Sequence, residues 1–326
     1  MLIRSTFDIQ FHLPNPAVVI ALLHLHPSLD KQLRSADELL VEYLGTSPLA
    51  GREPRVAISP SDYTDSFGNI CSRFVSPTGH LRLSSSNLIQ SEDQPEKSYP
   101  DAKQASIDDL PPEVLQFLLP SRYCEVDRFG AIANELFGVI PAGWTRATAI
   151  RDWVHEKVIF NYNAARPTKT AMDVFTERVG VCRDFQHLAI ALSRCQNIPA
   201  RYVTGYIGDI RMPYSGPGDF SAWYQVFLDG QWISLDARHN YPRIGRILVA
   251  TGRDAADVAI TTSFGAANLT YFYVDSWEVD AEGNRIPLPE GDRTNVVVPI
   301  TPGESNRPTQ TNASQTSPIQ TQAATT

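Results

Sequence analysis

Alternation of apolar and polar residues opens the chain and predicts a β-rich N-terminal region. A strand with one buried face is indicated by four apolar residues with polar neighbours: Phe7, Ile9, Phe11 and Leu13. Further short strands are indicated at 55–59, 70–75 and 81–83, between turn-forming residues. Short strands separated by such turns favour a small antiparallel β-sandwich over residues 1–90. The segment 33–44 fits either a helix or a pair of strands.

A helix followed by a hairpin is the clearest pattern in the second half of the chain. From Cys182 onward, apolar residues recur at intervals of three and four, and Asn197-Ile198-Pro199 ends this helix. Two alternating runs, 219–228 and 231–236, flank Asp229-Gly230, which is a strong signal for a two-residue type I′ turn. The sequence therefore predicts an α+β fold. An N-terminal antiparallel β-sandwich precedes an α/β core, in which Cys182 begins a helix that lies against an antiparallel sheet.

Composition divides the chain into four segments. The β-rich region, 1–90, is followed by a polar, acidic and Pro-containing linker at 91–109. The mixed core is predicted over 110–298. Residues 299–326 are mostly Thr, Gln, Ser, Asn and Pro and include no aromatic residue. Such a segment buries too little apolar area to offset its ordering entropy, so we expect a disordered tail.

Charge and cysteine content argue against several functional classes. The net charge of −8 and the lack of Lys/Arg runs disfavour a nucleic-acid-binding surface, which relies on basic residues. The four cysteines show no C-x-x-C spacing, so neither a zinc site nor a disulfide framework is indicated. No signal-peptide pattern opens the chain, and the apolar stretch 17–25 is about half a membrane span. We expect a cytoplasmic protein that binds no membrane, metal or cofactor.

Cys182 is the candidate nucleophile on grounds of its position. A thiol in the first turn of a helix lies near the positive end of the helix dipole and near unpaired N–H groups, which favour the thiolate. The same N–H groups could stabilise the oxyanion of a tetrahedral intermediate. Position alone also fits a small buried hydrophobic residue, since free cysteines are often buried. Cys195, at the far end of the apolar helix face, fits that structural role better.

The hairpin register predicts which residues accompany the thiol. A two-residue loop places Trp223 opposite Asp236, and Ser221 opposite Arg238. Ser221 and Asp236 are then diagonal neighbours on one face, about 7–8 Å apart at Cα. A histidine at position 221 could join a thiolate to Asp236, which is the logic of a catalytic triad. Serine is too short for that span and accepts no proton near neutral pH. Asp236 by itself also fits an acid that caps a turn.

Several stretches together resemble a known family. They are Pro120-Ser121-Arg122-Tyr123-Cys124-Glu125-Val126-Asp127, Gly180-Val181-Cys182-Arg183-Asp184-Phe185 with His187-Leu188-Ala189, Ile198-Pro199-Ala200-Arg201-Tyr202-Val203-Thr204-Gly205-Tyr206, Asp236-Ala237-Arg238-His239-Asn240, and Gly252-Arg253-Asp254-Ala255-Ala256-Asp257-Val258-Ala259. With these stretches the core resembles the transglutaminase-like fold of the papain-like cysteine enzyme superfamily, and more narrowly the bacterial transglutaminase-like proteins with a β-rich N-terminal region. With that region, the resemblance covers roughly residues 1–280.

The resemblance implies three site positions and one departure. It assigns Cys182 to the nucleophile and Asp236 to the acid that orients the general base. The family's motif at the base position is His-Ala-Trp, whereas this chain has Ser221-Ala222-Trp223. Ser221 therefore stands where the general-base histidine is expected.

Other histidines are poor replacements by sequence position. His239 faces away from the site if the strand continues through it, although a strand that breaks at Ala237 weakens this exclusion. His187 lies about 140° around the helix from Cys182, at 100° per residue. Structural roles are favoured for both. His24 and His26 share a predicted strand face and have the spacing of a metal pair, but no third ligand lies nearby in the sequence.

Three functions fit these patterns. The first is an amidase, protease or acyl transferase that attacks glutaminyl or peptide amides, with hydrolysis favoured over cross-linking. The second is a weakly active or inactive transglutaminase-like binding module, which the loss of the base favours because a general base contributes roughly 10²–10⁴-fold to rate. The third is a redox thiol at Cys182 without a resolving partner. Protein or peptide partners are expected in the first two cases.

Overall fold

The structure, a computed structural model, describes residues 1–46, 55–216 and 218–289. The predicted tail at 299–326 lies outside these residues. The α-helices are α1 Pro112–Leu115, α2 Val126–Phe137, α3 Trp144–Lys157, α4 Ala171–Glu177 and α5 Cys182–Cys195. The strands are β1 Leu2–Leu13, β2 Ala17–Ala21, β3 Leu40–Tyr43, β4 Val56–Ala57, β5 Ser61–Thr64, β6 Ile70–Ser76, β7 Gly79–Gln90, β8 Ile159–Phe160, β9 Val179–Gly180, β10 Ala200–Tyr206, β11 Phe220–Leu228, β12 Gln231–Leu235, β13 Ile247–Gly252, β14 Thr261–Phe264 and β15 Asn268–Val279.

Two antiparallel sheets form the N-terminal region. Their strand orders are β15-β1-β7-β3-β4 and β14-β2-β6-β5. Along β1, inward-facing residues such as Phe7, Ile9 and Leu13 are buried, and the alternation predicted from the sequence is confirmed. Burying three such side chains contributes roughly 1.5–3 kcal/mol each to the hydrophobic free energy of folding. The buried side chains of both sheets belong to one hydrophobic core that continues into the helical part.

Two strands from the second half of the chain complete these sheets. β15 pairs with β1 from the Leu2–Val279 pair to the His12–Asn268 pair, and β14 pairs with β2. The core predicted at 110–298 therefore includes two strands that belong to the N-terminal sheets, and its last residues, 290–298, lie outside the described residues. Alternation identifies a strand but not the distant strand with which it pairs, and this explains the error.

The core places one central helix against a small sheet. Its sheet is antiparallel with the order β12-β11-β10-β13. α5 contacts β10 and β11 on one side and α2, α3 and α4 on the other. Leu188, Ala189 and Leu192 of α5 are fully buried, as their three- and four-residue spacing predicts. The predicted fold class, with Cys182 beginning a helix against an antiparallel sheet, is confirmed.

The hairpin has the predicted turn and register. Asp229 and Gly230 both have positive φ, 51° and 72°, as a type I′ turn requires. Leu228 pairs with Gln231, and the register continues without a shift to Tyr224 and Leu235. β12 ends at Leu235, so Asp236 lies just beyond the strand and is not paired with β11.

The remaining segments differ from their predictions in detail. The linker at 91–109 is ordered against the core, where Ala102 is buried and its carbonyl accepts a hydrogen bond from the Trp144 amide. The ambiguous segment 33–44 contains one strand, β3, and no helix. His24 and His26 follow β2 in a loop, so the prediction that they share a strand face is wrong. Among the described residues, no helix combines the length and apolar character needed to cross a membrane.

Candidate functional site

The N-terminus of α5 positions Cys182. The carboxylate of Asp184 accepts a hydrogen bond of 3.0 Å from the Val181 amide and so satisfies one unpaired donor at the helix start. Asp184 is fully buried and pairs with the Arg183 guanidinium at 3.1 Å. Cys182 itself is half-buried. This first turn is therefore rigidly held, and its thiol points into a cleft rather than into the protein interior.

The Cys182 thiol is neutral near physiological pH. Burial raises its pKa to about 11, and the nearby carboxylate of Asp219 acts in the same direction. Arg238 and the backbone amides of Arg183 and Ala222 lower the pKa but do not offset burial. The thiolate predicted from helix position alone is therefore a minor species. The helix N-terminus favours the thiolate, but the desolvation of the buried sulfur has the larger effect on its pKa.

Cys182 and Ser221 line one cleft of about 390 Å³. Its polar wall also includes Asp219 and Arg183, and the remaining lining is largely apolar. A larger cavity of about 570 Å³ lies on the outward face of the five-stranded sheet, but no cysteine or histidine lines it. The cleft at Cys182 is therefore the candidate functional site.

Asp236 lies behind this cleft rather than in its wall. One carboxylate oxygen, Oδ1, accepts hydrogen bonds from the Gln186 amide and from the backbone amides of Arg238 and His239. The other, Oδ2, is 2.9 Å from His239 Nδ1 and 3.0 Å from Arg246. Burial disfavours the charge, but the His239 hydrogen bond and the Arg246 guanidinium hold the pKa of Asp236 well below its usual range. Asp236 is thus an ionised and fully partnered anion.

Gln186 is a link between Asp236 and the cleft that the sequence analysis missed. It is fully buried in α5, and its side-chain amide donates to both the Asp236 carboxylate and the Ala222 carbonyl. Its carbonyl oxygen accepts from the Ala237 amide. Gln186 therefore fixes the end of β12 to β11 beside Ser221. Helical spacing from Cys182, one turn later in α5, is the only sequence signal that could have indicated this role.

The predicted strand face directs His239 away from the site, but in the structure its ring contacts Asp236. The expectation assumed that β12 continues through residue 239. The strand instead ends at Leu235, and a turn follows in which the Asn240 amide donates to the Asp236 carbonyl. This turn brings the His239 ring onto the Asp236 carboxylate. Burial lowers the pKa of His239 despite this acidic partner, and no hydrogen bond among the described residues joins its ring to Cys182.

Arg238 and Asp219 are two charged groups near the thiol that the sequence analysis did not single out as functional. Arg238 lies 3.9 Å above the Phe160 ring and is the largest favourable influence on the Cys182 thiolate. Asp219 lines the cleft, and burial of its carboxyl group by the surrounding protein raises its pKa to about 6. The predicted pairing of Arg238 with Ser221 was the sequence signal that could have indicated its position near the thiol.

An aromatic cluster joins the Ser221 strand to the N-terminal region. Phe220, the residue before Ser221, packs against Tyr206 of the core sheet at a ring-centre distance of 5.2 Å. It also packs against Phe7 of β1 at 6.0 Å and Phe272 of β15 at 6.3 Å. The position of Ser221 therefore depends on contacts from both parts of the molecule.

The other singled-out residues have structural environments. His187 is fully buried, stacks on Tyr123 at 5.0 Å, and its Nε2 accepts a hydrogen bond from the Ala255 amide. Burial lowers its pKa well below the usual value, so its ring is neutral. Cys195 is half-buried, and burial raises its pKa to about 11. No cluster of three or more His, Cys, Asp or Glu side chains suited to a metal is found in the described part of the chain.

Sequence comparisons connect the core to a known superfamily. The model of the transglutaminase-like superfamily matches residues 131–237, which span α5, β10 and the hairpin. The uncharacterized protein ML0607 of Mycobacterium leprae is 27% identical over 207 residues, which are 60% of this chain and 73% of that protein. The uncharacterized protein Rv2569c of Mycobacterium tuberculosis is 36% identical over 96 residues, which are 26% of this chain and 31% of that one.

A solved structure extends the similarity to both regions of the chain. A proposed cysteine protease from Cytophaga hutchinsonii is 29% identical and superposes with a TM-score of 0.70. The match covers 89% of this chain and 94% of that one. The β-rich N-terminal region and the core therefore occur together in another protein. With its central helix, hairpin and Cys182 cleft, the core of the chain matches the transglutaminase-like superfamily over residues 131–237.

Proposed function

We propose that the protein is a transglutaminase-like binding module whose cleft receives a peptide or protein amide and catalyses its cleavage or transfer weakly or not at all. The observation that carries the proposal is Ser221, which lines the cleft beside Cys182 where a general base is needed. Serine has a hydroxyl that neither takes a proton near neutral pH nor forms an ion pair with a thiolate. The neutral thiol, with its pKa of about 11, supports the same conclusion.

The cleft still has the chemistry of amide recognition. The backbone amides of Arg183 and Ala222 act on the sulfur of Cys182, so they lie near the atom that would contact a bound carbonyl group. Donors in this position favour a carbonyl oxygen and its developing negative charge. Binding of an amide therefore needs no thiolate, whereas formation of a thioester does. Loss of the general base therefore prevents thioester formation but leaves amide binding possible.

A second candidate is an active cysteine amidase in which Asp219 replaces the histidine. The specific observation is that the Asp219 carboxyl group shares the cleft with Cys182 and has a pKa of about 6. A carboxylate with a raised pKa is a better general base than an ordinary one. Burial raises the pKa of the Cys182 thiol well above that of the Asp219 carboxyl group, so this proton transfer is still unfavourable. The binding-module proposal is therefore the stronger of the two.

Four variants separate these candidates on a panel of glutaminyl peptides with and without an amine acceptor. Ser221→His supplies a base next to Cys182, so we expect it to raise the rate of amide cleavage by about tenfold or more. Ser221→Gln, of similar size but without a titratable group, is the control and is expected to give no gain. Asp219→Asn is expected to leave any wild-type rate unchanged. Cys182→Ala is expected to abolish activity in each background.

The opposite results identify the active enzyme. A fast wild type that Asp219→Asn slows by about 10²-fold would replace the binding-module proposal with the Asp219-dependent amidase. A fast wild type that Ser221→His slows would show that another residue supplies the base.

A further inference from the structure

One wall of the Cys182 cleft comes from the N-terminal sheets rather than from the core. Ile9 and Phe11 of β1 and Leu269 and Phe272 of β15 all line it. These two strands are neighbours, so the four side chains form one continuous apolar surface. The exposed fractions of Leu269 and Phe272 are 43% and 36%, unusually high for large apolar residues that face inward.

A β-bulge creates this surface. Ile9 pairs with Phe272 and Phe11 pairs with Leu269, with a register shift between Gln10 and Phe11. Because side chains alternate along a regular strand, residues 269 and 272 would face opposite sides of the sheet. The extra residue, Thr270, changes the alternation and directs both apolar side chains to the cleft. Two large apolar groups are thereby exposed at the site that contains the nucleophile position.

The rest of the cleft lining contains both apolar and polar groups. Val258 and Ile260 of the core segment face the N-terminal wall, so the cleft has apolar groups on both sides. The cleft lining also contains polar groups, namely Cys182, with the amide donors near it, and the Asp219 carboxyl group. A purely apolar ligand would leave these polar groups without partners. A peptide segment satisfies both, since its backbone is polar and a side chain can be apolar.

We propose that this wall, made of Ile9, Phe11, Leu269 and Phe272, is a subsite for a large aliphatic or aromatic side chain of a peptide whose adjacent carbonyl group faces Cys182. The inference rests on the proposed function, because it assumes that the cleft receives a peptide. The volume of about 390 Å³ holds one or two residues rather than a folded domain. The bound segment is therefore an extended stretch of chain or a terminus.

The test uses peptidyl chloromethyl ketones, which label a cysteine without turnover. Attack by the Cys182 sulfur on the chloromethyl carbon forms a C–S bond, chloride leaves, and the thiol proton passes to solvent. Four N-acetyl dipeptide reagents differ only in the side chain next to the ketone: Phe, Leu, Ser or Asp. The measured quantity is the second-order rate of Cys182 labelling, obtained by peptide-resolved mass spectrometry on the full chain. The Phe and Leu reagents are expected to react at least about tenfold faster than the Ser and Asp reagents.

A matched pair of variants locates the source of the preference. The double variant Leu269→Ala/Phe272→Ala is expected to reduce the preference to less than about threefold, since a hydrophobic contact accounts for it. Tyr271→Ala is the control, because Tyr271 is 44% exposed on the other face of the same strand. We expect this variant to keep the full preference. Circular dichroism verifies that both variants are folded.

Each contrary outcome has a separate meaning. Equal labelling by all four reagents would overturn the subsite and leave the proposed function intact. A preference that survives in the double variant would show that other residues select the side chain, and it too would overturn the subsite. Labelling by iodoacetamide but by none of the peptide reagents would overturn the peptide-binding function itself and the subsite with it.

Discussion

At the scale of single residues, burial determines the state of Cys182, whose pKa of about 11 keeps the thiol protonated near neutral pH. This burial could not be predicted from the position of Cys182 at a helix start. The site positions themselves could be predicted, since Cys182 and Asp236 follow from helix position, hairpin register and resemblance, and Ser221 is visible as a departure in the sequence. The contact between His239 and Asp236 was missed because one strand ends a residue earlier than its alternation indicates.

Asp236 has a structural role that can be measured without any substrate. Arg246 is buried, and its guanidinium is 3.0 Å from the Asp236 carboxylate. Asp236→Asn leaves Arg246 with the Glu96 carboxylate at 2.7 Å as its remaining acidic partner, so the cost is expected at the lower end of the about 3–5 kcal/mol typical of breaking a buried pair. We expect Asp236→Asn to lower the free energy of unfolding by about 3 kcal/mol in urea denaturation.

The control for Asp236→Asn removes a carboxylate from a more exposed pair. Asp257 pairs with Arg253 at 2.9 Å, and the Arg253 side chain is 43% exposed. Exposed pairs contribute at most about 1 kcal/mol, so Asp257→Asn is expected to have a small effect. Equal losses in the two variants would contradict the role assigned to the buried pair.

At the scale of secondary structure elements, local patterns were reliable and pairings between distant elements were not. The bounds of α5 and the type I′ hairpin follow from apolar spacing and from Asp229-Gly230. The bulge between β1 and β15 and the end of the core were not predictable. Both depend on strands at least 240 residues apart in the chain, and alternation carries no information about such partners.

The loop after β2 contains a charged network that predicts a pH dependence of stability. Ser72 Oγ donates to Asp62 at 2.6 Å, so it must accept from His24 Nε2 at 3.1 Å. The other ring nitrogen, Nδ1, is 3.1 Å from the Asp37 carboxylate, which only accepts. Both nitrogens therefore carry protons, and His24 is an imidazolium. Burial opposes this charge, but the Asp37 hydrogen bond and the charges of Asp37 and Asp62 raise the His24 pKa above 6.5.

The sign of this effect follows from proton linkage. Because the folded state holds the His24 proton more tightly, the stabilisation is complete below pH 6.5 and is lost as pH rises through the raised pKa. We expect urea unfolding between pH 5 and 8.5 to show this loss in the wild type and a smaller one in His24→Gln. The control is His26→Gln, since burial lowers the pKa of His26. An identical loss in wild type and His24→Gln would contradict the network.

At the scale of the whole molecule, the cleft is a joint product of two regions. The core supplies Cys182 and Ser221, while β1 and β15 supply an apolar wall and the aromatic contacts of Phe220. Burial is also the largest cause of the raised Cys182 pKa. We therefore propose that one property of the cleft, its enclosure, both suits it to an apolar side chain and keeps the thiol protonated.

The pH dependence of Cys182 alkylation tests this central claim most directly. Iodoacetamide reacts with the thiolate, so its rate reports the ionised fraction of Cys182, which peptide-resolved mass spectrometry distinguishes from the other three cysteines. With a pKa of about 11, the rate is expected to rise about tenfold per pH unit from pH 7 to 10 without a plateau. In Ser221→His, a plateau is expected at lower pH, since the imidazole stabilises the thiolate. A wild-type plateau below about pH 8 would show a preformed thiolate and would contradict the claim that Cys182 lacks an activating base.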